Sequence, residues 1–157
     1  MTKYIRSHIV EAEPMTRGDY NKHRGWELPQ NENPADDGYH VVYPDGYESW
    51  CPKAQFEAAG RPIDGMTFGM AIEAMKHGAK VARRGWNGKG MYLWLLPAAP
   101  VKAEWCKEPH LKTLAELNGG EVECLGSVRM KTADGKVLTG WLASQTDMLS
   151  EDWCIVE

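Results

Sequence analysis

TFGMAIEAMKHGAKVARRGWNGKGMYLWLLP, residues 67–97, decides the fold. Its first part has a helical period: Phe68, Ala71, Ile72 and Met75 fall on one apolar face, Thr67 is placed to cap the helix and Gly78 to close it. The period then changes to two. KVARR (80–84) has β character, GWNGKG is a glycine-rich loop, and MYLWLLP is a second strand, so the stretch predicts one helix followed by two strands of a sheet. In the second strand Met91, Leu93 and Leu95 share one face while Tyr92, Trp94 and Leu96 share the other. Neither face is polar. The helix covers one, and the other predicts a second subunit with a ligand pocket formed between copies.

Downstream, SVRMKTADGKVLTGWLAS (127–144) reads as a hairpin turning at Asp134-Gly135, and WCIVE (153–157) as a last strand. Residues 98–126 read as an insertion between two strands of one sheet, with a helix-like LKTLAELN closed by Gly119-Gly120. Upstream, composition shifts near Pro62-Ile63-Asp64-Gly65 from a polar, turn-rich front to the helix signal, predicting two domains, 1–63 and 64–157. Within the front, GYHVVYPDGYESW (38–50) is two β-prone runs around Pro-Asp-Gly, with Gly46 supplying the positive φ of a bulged three-residue hairpin loop. CPKAQFEAAG (51–60) reads as a short helix with Pro52 in its first turn, KYIRSHIVEAE (3–13) as an earlier strand, and RGDYNKHRGWELPQNENPADD (17–37) as a long surface loop. The fold class is α+β: a small antiparallel sheet packed with a helix, preceded by a small β-rich module.

Composition narrows the function. Hydrophobic residues at 43% and charged residues at 25% match a soluble globular protein, and no apolar run approaches the roughly 20 residues that span a bilayer. The start lacks the apolar core of a secretory signal, which predicts a cytoplasmic chain whose four cysteines, Cys51, Cys106, Cys124 and Cys154, are free thiols. A net charge of -4 argues against a duplex-DNA surface but allows a local positive pocket. Nucleophile-elbow, phosphate-loop and metalloprotease motifs are absent. Cys106, His110 and Cys124 lack the paired spacing of structural zinc, and the five histidines, His8, His23, His40, His77 and His110, are scattered and read as surface residues.

The loop at 83–90 is where signals coincide. Lys80, Arg83, Arg84 and Lys89 bracket Trp86, and the glycines at 85, 88 and 90 let backbone amides approach an anion closely. Trp86 and Trp141 offer π-faces for a nucleobase, each stack being worth roughly 1–3 kcal/mol. Packing of the two rings in a core or rim is the competing reading of the same residues. Gln145 and Thr146 are placed to read ribose hydroxyls or a base edge, although Thr146 can equally cap a helical turn whose N-terminus Asp147 would favour. Asp152 and Trp153 read as structural, a cap and a core anchor.

Residues 65–157, through MTFG, ARRGWNGKG and TDMLSEDW above all, closely resemble the phage-encoded Thoeris anti-defence proteins of the second type. The resemblance implies a non-enzymatic sponge without cofactor or metal. It would capture a cyclic ADP-ribose isomer made by a bacterial immune TIR enzyme, acting in the infected host's cytoplasm. It also implies a homotetramer in which paired subunits build the pocket, and cyclic oligonucleotides of the CBASS system as ligands of some relatives. Trp86 and Trp141 match the family's pocket-lining tryptophans. On that reading they stack on adenine, while Arg83, Arg84 and Lys89 neutralise the diphosphate. Asn87 with the amides of Gly88 and Gly90 binds phosphate or ribose oxygens, and Gln145, Thr146 and Asp147 contact ribose or the adenine edge. Residues 1–63 resemble a small module of other phage proteins, and the insertion at 103–125 departs from shorter family members.

Overall fold

A computed structural model describes Thr2 and residues 8–157. The chain forms two compact units, Met1–Pro62 and Ile63–Glu157.

In the first unit a three-stranded antiparallel sheet has the order β1 (Glu11–Pro14), β2 (Gly38–Val42), β3 (Glu48–Pro52). The expected hairpin joins β2 to β3, with Gly46 at φ 81° and its amide donating to the Tyr43 carbonyl at 2.8 Å. Of the strand expected over 3–13, residues 3–7 lie outside the described residues, and the described strand starts at Glu11. Pro52 ends β3 instead of lying inside the helix that follows, α2 (Lys53–Ala59), because its fixed φ of -55° and ψ of 140° suit the extended residue before a helix. On one sheet face Phe56 of α2 stacks on Tyr39 of β2 at 4.3 Å.

The region expected to be one long loop, 17–37, instead begins with a helix, α1 (Arg17–Arg24). Its apolar signal is thin, since Tyr20 and Asn21 are its buried residues, and its ends supply what periodicity does not. The Thr16 hydroxyl accepts from the Asp19 amide, and Gly25, at φ 69°, closes the C-terminus. Tyr20 sets α1 over the second face of the sheet, 5.6 Å from the His40 ring of β2.

In the second unit a five-stranded antiparallel sheet has the order β10-β4-β5-β8-β9: Trp153–Val156, Lys80–Arg83, Tyr92–Leu96, Ser127–Lys131 and Val137–Thr139. Helix α3 (Phe68–Lys76), capped by the Thr67 hydroxyl, lies on one face. It buries Ala71, Ala74 and Met75 against Val81, Leu93, Met130 and Trp153, with Met66 completing the core. Leu93, Val81 and Trp153 are fully buried, so the alternation expected in MYLWLLP points its Leu93 side into this core. The other sheet face carries Tyr92 and Trp94, half-buried, with the Lys80 and Lys131 ammonium groups 5.5 and 5.8 Å from the Tyr92 ring centroid.

Between β5 and β8 the chain leaves the sheet as a separate two-stranded ribbon, β6 (Ala99–Lys102) with β7 (Glu121–Cys124). It encloses a short 3-10 turn at Ala103–Trp105 and α4 (Pro109–Leu117). The excursion from β6 to β7 falls inside the 98–126 span read as inserted, and its residues 99–102 and 121–124 are strands that sequence reasoning did not mark. The last helix, α5 (Gln145–Leu149), precedes β10. All four cysteines are free thiols, and no described helix is long and apolar enough to cross a membrane.

Candidate functional site

Trp86 and Trp141 come together. Trp86 lies in the loop after β4 and Trp141 just beyond β9, where its amide donates to the Val128 carbonyl at 2.9 Å. Their ring centroids are 6.1 Å apart and inclined at 66°, and both meet Trp153 edge-on, at 5.4 and 6.2 Å. Phe68 of α3 completes the cluster, 5.3 Å from Trp153 and 6.4 Å from Trp141. Edge-to-face packing satisfies the ring quadrupoles, and it leaves no parallel gap between Trp86 and Trp141 in one chain. A base cannot be sandwiched between this pair; what each half-buried ring offers is its outer face.

The position of Trp86 is fixed by a carboxylate. Its indole N–H donates to Asp147 Oδ1 at 3.0 Å, the same oxygen that accepts from Arg83 Nη1 at 2.7 Å. Asp147 Oδ2 accepts from the Ser144 amide at 3.1 Å and from the Ser144 hydroxyl at 2.7 Å, while the Asp147 amide donates back to that hydroxyl at 3.1 Å. Ser144 and Asp147 therefore form a reciprocal cap on α5. The helix cap is Ser144, not Thr146, because only the residue three positions before Asp147 can exchange bonds with it in this way. Thr146 and Gln145 are exposed on the first turn.

Arg83 is a hub of the chain's own ion pairs. Beyond Asp147 it donates through Nε to Asp152 Oδ1 at 2.8 Å, and Asp152 Oδ2 accepts from the Gly85 amide at 2.7 Å. A Cβ on Gly85 would sit 2.6 Å from that oxygen, so a side chain here would push the Asp152 carboxylate out of its present position. Hydrogen bonds to Asp152 push the Arg83 guanidinium above its ordinary value, and Arg83 in turn holds the Asp152 carboxyl low. Burial alone would push Asp147 up; the Arg83 guanidinium, Ser144 and Trp86 outweigh it and hold the carboxyl at about 2. With its charge offset by two carboxylates, Arg83 serves to build the site and is not a free cation for a phosphate. Within the 83–90 loop the exposed cations are Arg84 and Lys89.

Asn87, Lys89 and Gly90 are exposed, and Gly88 packs over Met91, whose sulfur would lie 2.1 Å from an added Cβ. The loop's far end is held by Lys131, which donates to the Gly90 carbonyl at 3.0 Å. Sequence reasoning missed Ser144 and Lys131. The Ser-x-x-Asp spacing could have revealed the first; nothing local marks the second, which meets Gly90 only through sheet pairing. Trp153 is the core anchor expected, fully buried with its N–H donating to the Asp147 carbonyl at 2.9 Å, whereas Asp152, expected as a cap of its own turn, instead binds Arg83 and the Gly85 amide across the sheet. Cys106 donates to the Lys102 carbonyl at 3.4 Å within the ribbon.

A family model described as a Thoeris anti-defense 2-like domain matches residues 66–156, which lie within the second unit. Among curated proteins, "Thoeris anti-defense 2" of Bacillus phage SP01 is 37% identical over 98 residues, covering 58% of this chain and 94% of that protein. The matched span contains α3, the 83–90 loop, Trp141 and the Ser144–Asp147 cap together. On that match the chain belongs to the Thoeris anti-defense 2-like family.

Proposed function

We propose that the chain is a phage sponge against Thoeris defence, which binds a cyclic ADP-ribose isomer, glycocyclic ADP-ribose, and holds it chemically unaltered in the host cytoplasm. The observation that carries this reading is Trp86: a half-buried ring fixed through its N–H to Asp147, with Arg84 and Lys89 exposed beside it. A fixed ring stacks with little ordering cost, and the two flexible cations match a diphosphate. Because Trp86 and Trp141 pack edge to face within one chain, the adenine is gripped by rings of neighbouring copies, which calls for a homo-oligomer, a tetramer on this reading. The second sheet face, which leaves the rings of Tyr92 and Trp94 only half-buried, supports such an assembly. Asn87 and the amides of Gly88 and Gly90 bond to phosphate or ribose oxygens, Gln145 and Thr146 read the ribose, and Arg83 and Asp147 hold the rings. To outcompete a receptor the site needs nanomolar affinity, about -12 kcal/mol.

The test incubates purified protein with glycocyclic ADP-ribose or a CBASS cyclic oligonucleotide, removes free ligand and heats the complex. Intact ligand released into the supernatant is the expected result; a processed product makes the protein an enzyme, and no uptake of either class ends the proposal. Trp141→Ala is expected to weaken binding roughly 5–150-fold, the equivalent of one lost stack.

A further inference from the structure

Folding gathers two of the histidines that look scattered in the sequence. His23, in the last turn of α1, and His40, in β2, both direct Nε2 at one oxygen, Oε2 of Glu48 in β3, at 3.0 and 2.8 Å. His40 is buried, which corrects its reading as a surface residue: register places it directly opposite Glu13 on β1, under the ring of Tyr20. The ligand atoms of His23, His40 and Glu48 all lie within 4.8 Å of one another.

We propose that His23 Nε2, His40 Nε2 and a Glu48 carboxylate oxygen form a binding site for a borderline divalent transition-metal cation of the zinc type. Two imidazoles and a carboxylate are the donor set such ions favour. Bonds of roughly 2.0–2.2 Å in a tetrahedron put neighbouring donors roughly 3.3–3.5 Å apart, so the two nitrogens must draw away from Glu48 by a few tenths of an ångström and, lying within 4.8 Å of each other, close on each other by up to about 1.4 Å, a shift that rotation of the half-exposed His23 side chain supplies. Glu13 Oε1 stands 3.4 Å from Nδ1 of His40, the ring nitrogen that faces away from Glu48. Before the ion binds, Nε2 donates to Glu48; when a metal displaces that proton, a carboxylate beside Nδ1 accepts the remaining N–H and fixes the ring's orientation. Arg24 Nη1 forms an ion pair with Glu48 Oε2 at 3.6 Å, and its guanidinium lies 4.9 Å over the Trp26 ring, a second resting place for the cation once Oε2 turns to the ion. The side chain of His23 is 46% exposed and supplies the entry route. With three protein donors, the remaining coordination belongs to water or a small ligand. The ion would pin α1 to the sheet, and nothing in this proposal depends on the nucleotide site of the second unit.

The test is calorimetric titration of the chelator-stripped full chain with Zn2+ alone. Saturable uptake of one equivalent per chain is expected, with a rise in melting temperature. His23→Gln, at a half-exposed position that leaves the fold intact by circular dichroism, is expected to lose at least ten-fold in affinity. Glu13→Gln, a positioning residue, should lose about ten-fold. Cys106→Ser/Cys124→Ser should bind as tightly as the parent. Absence of saturable uptake overturns the proposal, as does affinity that survives His23→Gln or falls in the cysteine variant.

Discussion

At the scale of single residues, Asp147 does more than any other side chain in the second unit. One carboxylate fixes the Trp86 ring, receives Arg83 and closes the cap of α5. Its carboxyl is held at about 2, against an ordinary value of 3.8. A carboxyl depressed in the folded state contributes stability that is complete above the unfolded value and is lost as pH falls through the folded one. The difference amounts to about 2 kcal/mol at neutral pH, disappearing between about pH 4 and pH 2. Asp152, also held low by Arg83, acts in the same direction. Urea midpoints measured from pH 7 to pH 2 should show this loss, and Asp147→Asn should flatten it. An equally steep fall in that variant would assign the acid sensitivity to other groups.

At the scale of elements, the helices are set by their ends as much as by their faces. The α5 helix is five residues long, too short to persist by propensity, and the Ser144–Asp147 exchange is what closes it. Ser144→Ala is expected to cost about 1 kcal/mol by chemical denaturation; a change near zero would mean that Trp86 and Arg83 alone secure Asp147. The same logic explains what was legible in the sequence. The α3 helix, the β2–β3 and β8–β9 hairpins and the final strand announce themselves through period and turn residues, and they form. Helix α1 does not, because RGDYNKHR has almost no apolar face, and its Thr16 and Gly25 caps look like loop residues until they are paired. In the site, Trp86, Trp141, Arg84 and Lys89 could be picked out by residue chemistry. That Arg83 is consumed by Asp147 and Asp152 could not, since those partners lie 64 and 69 residues away.

At the scale of the whole molecule, the matched family span falls inside one of two compact units. The phage SP01 relative is covered over 94% of its length by 58% of this chain, so a protein of roughly that extent stands without the front unit. Residues 63–157 expressed alone are therefore expected to fold cooperatively and to retain the nucleotide uptake proposed above for the full chain. Loss of uptake in a folded fragment would give the front unit a part in binding. The packing of Trp86, Trp141 and Trp153 also has an optical consequence. Three indoles meeting edge-on at 5.4 to 6.2 Å have electronic transitions that couple, and such coupling gives a near-ultraviolet dichroic signal sensitive to ring tilt. The protein thus carries an intrinsic, dye-free gauge of ring movement, by which docking of the proposed ligand would be read.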